Sequence, residues 1–517
     1  MPEYESIVTT RKKAHANAAP ERAKTLEALT PVATTAMSFP VVGIGASAGG
    51  LAAIKAFFSG MPAGADPGMA FVLVQHLAPD HKSLLAELIR HSTHMPVFEV
   101  ENGMPVRPNC TYIIPPNRDM ALLNGTLQLM EPSAPHGQRR PIDFFFRSLA
   151  QDQHERAIGI VLSGSGSDGT LGVRAIKSEG GMVIAQHPSS SEFDGMPRSV
   201  LATGLVDYTL PPAEMSAQLI AYAGHAFSRP RRPATVLAAK TKDALKTIFI
   251  LLRAQTGHDF SQYKPSYCQR RIERRMAVHQ IDTINHYATY LRSTPTEGDA
   301  LFRDLLIGVT KFFRDPEAFQ TLEAQIIPRL LARKPAGALI RIWSAGCCTG
   351  EEAYSLAILL QEGMEALRHS YTIQIFATDL DRHDIATART GCYPASIAAD
   401  ITPERLARFF TAEPDGRTYR IRKGIRDMVI FSEQNVNQDP PFSKLDLIAC
   451  RNLLIYFGEE LQQRLIPLFH HALNPGGLLC WARPKAWASS AVCSPRWITH
   501  RSCISATTMC TTRRARS

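Results

Sequence analysis

The sequence predicts an α/β protein with two parallel-sheet units separated by an all-helical stretch. Three observations carry that reading. Between Pro40 and Gly224, short apolar runs ending in glycine-rich turns alternate with helical periodicity. From Asp243 to Leu322 the pattern is helical throughout, and at Leu339 the strand, glycine turn and helix sequence returns. Strands alternating with helices imply a parallel sheet covered on both faces.

Length and composition narrow the function classes. The chain has 517 residues, 45% hydrophobic and 20% charged, as in soluble globular protein. No apolar run approaches the ~20 residues that a membrane span needs, and the N-terminus lacks a signal-peptide core. A cytoplasmic protein without membrane insertion is expected. The ten cysteines form no C-x-x-C pair, so free thiols and no metal site are expected. The net charge of +10 is concentrated: residues 481–517 carry seven Lys or Arg and no acid. The rest is close to neutral, so a nucleic-acid partner is not expected.

Residues 1–39 are polar, rich in Ala and Thr and aperiodic, and are read as a disordered arm. Strands follow at 41–45, 70–75, 157–162 and 182–186, with helices at 49–58, 81–91, 141–153, 169–179 and 212–224. Asn102-Gly103 and Asn124-Gly125 are hairpin signals inside a strand-rich excursion from 97 to 130, expected as an antiparallel extension. Gly45-Ala46-Ser47-Ala48-Gly49 fits G-x-S-x-G, a tight strand-to-helix turn that exposes a serine hydroxyl. The same letters, Gly43-x-Gly45-x-x-Ala48, fit a dinucleotide fingerprint, which needs an acid at the end of the next strand. That strand ends instead in Gln75-His76, which suits a serine's general base.

A third group closes the set. After the strand at 157–162, Ser163-Gly-Ser-Gly-Ser-Asp-Gly-Thr170 holds Asp168 in a glycine-rich turn before a helix. Ser47, His76 and Asp168 therefore all fall at carboxyl ends of strands, where open parallel sheets gather their reactive groups. Singly, each has a plainer reading: Ser47 or Asp168 as a helix cap, His76 as a packed histidine. Together they match a nucleophile, a base and a base-orienting acid.

Gly43-Ile-Gly-Ala-Ser-Ala-Gly-Gly50, Val74-Gln-His76, Tyr112-Ile-Ile-Pro-Pro116, Leu162-Ser-Gly-Ser-Gly-Ser-Asp-Gly169 and Gly195-Met-Pro-Arg198 closely resemble the catalytic domain of CheB, the chemoreceptor glutamate methylesterase and glutamine deamidase. The resemblance covers 40–225 and implies a Ser47–His76–Asp168 triad. Ser165 departs from the methionine that many relatives carry in this turn. No receiver domain precedes residue 40, so on this resemblance phosphorylation control in cis is not expected.

Residues 226–242, with Arg-Pro-Arg-Arg-Pro at 229–233, read as a linker. In the helical stretch, Arg270, Arg271, Arg274 and Arg275 form a cationic stripe. It is either a solvated face or a dock for an acidic helical substrate. The second α/β unit begins with the strand Leu339-Ile-Arg-Ile-Trp343 and a turn bearing Gly346 and Gly350. The next strand ends Ala377-Thr-Asp379, an acid placed to hold a ribose. NAD and S-adenosylmethionine both fit such a site, although Gly346-x-x-x-Gly350 is not G-x-G-x-x-G.

Val309-Thr-Lys-Phe-Phe-Arg-Asp315, Trp343-Ser-Ala-Gly346, Thr349-Gly-Glu-Glu352 and Cys450-Arg-Asn452 closely resemble CheR, the S-adenosylmethionine-dependent chemoreceptor glutamate methyltransferase. The resemblance implies a helical domain at 243–322 and a Rossmann-like methyltransferase domain at 323–482. It implies that Thr310, Arg314, Glu351, Asp379, Asn435 and Asn452 line the cofactor pocket. Gly308 stands where some relatives have asparagine. A glutamate substrate is already an anion at neutral pH, so no catalytic histidine is expected in this half. Residues 483–517 are basic and aperiodic, and hold two of the four tryptophans. They are expected to be an aberrant tail, leaving the second sheet without its last strands.

The two resemblances together imply a bifunctional enzyme acting on cytoplasmic helices of methyl-accepting chemoreceptors. Histidine kinases or response regulators are expected as further partners. Two other readings stay open: a weakly catalytic adaptor, and a serine hydrolase fused to a small-molecule methyltransferase.

Overall fold

The computed structural model describes residues 39–481, apart from 63, 65, 77–84, 133–138, 228–238, 307, 415 and 417, together with residues 496–499. Residues 1–38 of the expected arm and most of the linker lie outside the described residues.

Seven strands form the first sheet. Their order is Tyr208–Leu210, Met182–Gln186, Ala157–Val161, Val41–Ala46, Ala70–Gln75, Thr111–Ile113 and Val97–Glu99. Every pairing is parallel. The four expected strands are present, and Val41–Ala46 and Ala70–Gln75 are almost wholly buried, as their unbroken apolar runs require. The expected antiparallel extension is only partly correct. Val97–Glu99 and Thr111–Ile113 join the main sheet in parallel, while Met104–Pro105, Thr126–Met130 and Asp119–Leu123 make a separate antiparallel sheet. Asn124 and Gly125, both at positive φ, turn its hairpin.

Four helices follow: Ala239–Thr256, Pro265–Val278, Ile284–Ser293 and Pro295–Leu306. Local chemistry starts them where it should. Proline opens the second and fourth, and Thr283 caps the third by accepting from His286 N–H at 3.3 Å. The helical run breaks before Leu322, because Gly308 to Asp315 form an irregular segment ahead of Pro316–Thr321.

The second sheet runs Val429–Glu433, Thr372–Asp379, Leu339–Ala345, Leu445–Cys450, Leu473–Trp481 and Arg496–Thr499. The first five strands are parallel and the last is antiparallel. That last strand corrects the expectation that the sheet lacks all its closing strands. Arg496–Thr499 pairs with Leu478–Trp481 through backbone groups, which needs no particular side-chain pattern. The other residues of the expected tail lie outside the described residues.

The cationic stripe is a second correction. Arg271, Arg274 and Arg275 are buried, leaving only Arg270 exposed. They face the first α/β domain, not solvent. Arg271 donates to the carbonyls of Lys177 (3.3 Å) and Ser178 (3.0 Å), and Arg274 Nε donates to Gly181 O at 3.0 Å. Arg275 pairs with Glu297 at 2.9 Å. Buried guanidinium groups demand such partners, and the docking reading of this face is withdrawn.

Candidate functional site

The first site lies where the strand order reverses about Val41–Ala46, the position at which open α/β sheets form a crevice. Ala46 is in register with Gln75, so the next residues, Ser47 and His76, leave neighbouring strands side by side. Ser47 N–H donates to Ser163 O at 3.0 Å, and Ser163 Oγ donates to Ala48 O at 2.9 Å, pinning the serine turn to the third strand's loop. Gly49 completes the turn at φ 69°, and a Cβ there would lie 2.8 Å from Ser163 Oγ.

Asp168 Oδ2 lies 2.8 Å from His76 Nε2. The carboxylate also accepts from the N–H groups of Ile142 (3.1 Å), Asp143 (2.9 Å) and Gly169 (2.9 Å). Two of those donors belong to the first turn of Pro141–Gln153, whose positive end favours an anion there. With a carboxylate on Nε2, the ring proton sits on Nε2 and Nδ1 is left as the acceptor for a serine proton.

Gly43 and Gly45 have a packing role that decides between the two glycine readings. A Cβ on Gly45 would lie 2.4 Å from Ile142 Cγ2, and one on Gly43 would lie 2.8 Å from Phe146. Both glycines sit inside the strand and let the helix at 141–153 approach it. They do not form a phosphate loop. Gly195-Met-Pro-Arg198 is tied to the loop after Ala157–Val161, with Met196 N–H donating to Gly164 O at 2.8 Å.

Sequence reasoning missed Asp143. It is buried behind Asp168; Oδ1 accepts from Gly172 N–H at 2.8 Å, and Oδ2 has no partner. Burial and the Asp168 charge push its carboxyl up to about 7.

The second site opens at the carboxyl ends of Leu339–Ala345 and Thr372–Asp379. Thr310, Arg314, Asp379, Asn435 and Asn452 line one pocket, together with Glu352, His258 and Arg451. Asp379 Oδ2 accepts from Cys348 N–H (2.8 Å) and Oδ1 from Asp381 N–H (3.1 Å), while burial pushes its carboxyl up. Gly346, at φ 75°, lines the same pocket.

Glu351 is not among the lining residues. Its Oε2 accepts from Thr349 Oγ1 at 2.6 Å in the buried interior. Its neighbour Glu352 takes the pocket wall and meets Arg451 Nη1 at 3.2 Å. Successive helical residues point about 100° apart, so the tandem acids alone do not say which one faces the cavity. At Gly308, a Cβ would lie 2.4 Å from Cys348 Sγ and 2.7 Å from Asp384 Oδ2, so those groups fill the room an asparagine would need.

His258 was also missed, in a half where no catalytic histidine was expected. It is nearly sealed, with Nδ1 3.0 Å from Asn435 Nδ2 and Nε2 3.0 Å from the Tyr263 hydroxyl. An amide nitrogen only donates, so Nδ1 is the acceptor. Burial lowers the ring's pKa to about 4, which keeps it neutral. The Asn452 Oδ1 and Gln434 Oε1 atoms of this pocket are buried without partners. Such acceptors, with the Asp379 carboxylate, fit the hydroxyl and amino groups of a nucleoside cofactor.

One pH effect follows from these carboxyls. Burial and Asp379 push Asp384, like Asp143, up to about 7. An unfolded Asp titrates near about 4, so the stability each adds is full below that value. It is lost as pH rises through the folded value. The thermal midpoint is expected to fall between about pH 5.5 and about pH 8.5, and Asp384→Asn to flatten that slope. A midpoint rising over the same range would contradict the assignment.

Three family models match the chain: CheB methylesterase at residues 42–219, the all-alpha domain of CheR methyltransferase at 243–306, and its SAM binding domain at 308–482. An uncharacterized 104.1 kDa protein in the hypE 3'region of Rhodobacter capsulatus is 40% identical over 76% of this chain. The chain spans 43% of that protein's length. Chemotaxis protein methyltransferase 2 of Vibrio cholerae is 32% identical, covering 44% of this chain and 79% of the relative. The CheB methylesterase catalytic domain of Thermotoga maritima is 31% identical, with a TM-score of 0.33, covering 36% of this chain and 98% of that structure.

Proposed function

The chain belongs to the CheR methyltransferase family and carries a CheB methylesterase domain in front of it, and from that premise we propose that it both removes and adds methyl groups on glutamates of chemoreceptor helices. The observation that carries the proposal is the pairing of two sites in one chain: Asp168 bonded to His76 beside Ser47, and a pocket lined by Asp379, Asn435 and Asn452.

In the esterase half, Ser47 attacks the glutamyl ester carbonyl while His76 Nδ1 takes its proton. His76 returns that proton to the departing methanol, and water completes the cycle by the same route. Asp168 holds the ring orientation and stabilises the imidazolium. A glutamine amide in the same place would lose ammonia.

In the transferase half, Asp379 would hold a ribose, and Asn435 and Asn452 would bind polar edges of the nucleoside. Thr310 and Arg314 lie on the irregular segment that closes the pocket. S-adenosylmethionine supplies an electrophilic methyl group, so the chain needs to bind and orient rather than to remove a proton. The test is one assay. A receptor fragment is incubated with the chain and methyl-labelled cofactor, and label is followed onto the fragment and then into methanol. Absence of both label and methanol would reject the proposal.

His258 then acts as a neutral scaffold for Asn435. His258→Ala is expected to weaken S-adenosylhomocysteine binding roughly tenfold. The fold loss should be the same at about pH 5.5 and at about pH 8, because the ring stays neutral across that range. A loss that varied with pH over that range would argue against this role.

A further inference from the structure

The seam between the two halves contains a closed square of charges. Lys177 and Asp207 come from the esterase domain, Arg274 and Asp304 from the helical domain. Lys177 Nζ lies 2.9 Å from Asp207 Oδ1 and 3.3 Å from Asp304 Oδ1. Arg274 bonds the remaining oxygen of each carboxylate. Each domain thus provides one cation and one anion, and each cation bridges both anions. All four groups are buried, and the Lys177 side chain is only 2% exposed. Burial alone would raise both carboxyls, but Arg274 and Lys177 outweigh it and hold them below the usual range.

The place of Asp304 gives this square a consequence beyond adhesion. Asp304 lies in the last turn of Pro295–Leu306, and the residues after it, Leu305, Leu306, Gly308 and Thr310, line the nucleoside pocket. The Tyr267 hydroxyl ties the same turn from the other side by donating to Leu305 O at 2.7 Å. The wall of the transferase pocket is therefore anchored to the esterase domain at Lys177.

We infer that Lys177 of the esterase domain is a positioning residue for the transferase pocket, acting through Asp304. Without its ammonium, Asp304 would keep only Arg274 as a bonded cation, while Asp207 would keep Arg274 and Arg275, whose Nη1 lies 3.8 Å from Asp207 Oδ1. Like charges in a buried setting repel strongly, and the movable member is the helix end that carries Asp304. The esterase triad lies at the opposite, carboxyl edge of its sheet and should not register the change.

The inference rests on the nucleoside reading of the second site. S-adenosylhomocysteine is titrated calorimetrically into the full chain, and methanol release is measured on the same samples. Wild-type chain that binds no S-adenosylhomocysteine would overturn the nucleoside reading and the inference with it. If wild type binds, Lys177→Met is expected to raise Kd roughly threefold to thirtyfold with methanol release within about twofold of wild type. Lys177→Arg, which keeps the bridging charge, should recover most of the affinity. An unchanged Kd in Lys177→Met would overturn the inference alone. So would a parallel loss of esterase rate, because it would make Lys177 a general stabiliser of the fold.

Discussion

Ser47→Ala is expected to reduce methanol release from a methyl-esterified receptor fragment by about a thousandfold or more. The serine turn is held by backbone and Ser163 contacts that the substitution leaves alone, so the loss would report chemistry rather than folding. Asp168→Asn should cost a comparable factor, near ~10⁴, by a different route. An asparagine amide facing His76 Nε2 would donate, driving the ring proton to Nδ1, where it blocks acceptance from Ser47. Three backbone donors converge on Asp168, and an amide nitrogen among them would also disturb the start of Pro141–Gln153. S-adenosylhomocysteine affinity should stay at the wild-type value in Ser47→Ala. Methanol release that survived the serine substitution would remove Ser47 as the nucleophile.

Asp379→Ala is expected to weaken S-adenosylhomocysteine binding about a hundredfold, the scale of two hydrogen bonds to a charged acceptor. The carboxylate ends its strand and is already oriented by Cys348 and Asp381 N–H groups. Little ordering remains to be done when a ribose arrives. Asp379→Asn keeps one acceptor oxygen and should fall between the two. Esterase rate on the same samples serves as the control for folding. Equal affinities for wild type and Asp379→Ala would show that the ribose is held elsewhere.

Much of both sites was legible because turn chemistry is local. Gly45 to Gly49 and Ser163 to Thr170 announce strand-to-helix turns by glycine and serine placement alone, and Asp379 follows an apolar run that can only be a strand. Side-chain choice between neighbours was less legible. Glu351 and Glu352 have the same composition and differ only in which helical face meets the cavity. His258 stands between helices with no motif, and its place in the pocket wall depends on Asn435, 177 residues later.

The sequence by itself determined the α/β class, the order of the domains, the serine turn with a histidine and an acid at the neighbouring strand ends, and the acid that ends Thr372–Asp379. Each follows from spacing over a few residues. Only the tertiary structure decided what the arginine helix does. A stripe at helical spacing looks the same whether water or another domain covers it. Charge burial is set by the opposing surface, here Lys177, Gly181 and Asp207, which lie 67 or more residues away in the chain. Those partners turn a face suited to binding an acidic substrate into the seam that joins the two halves.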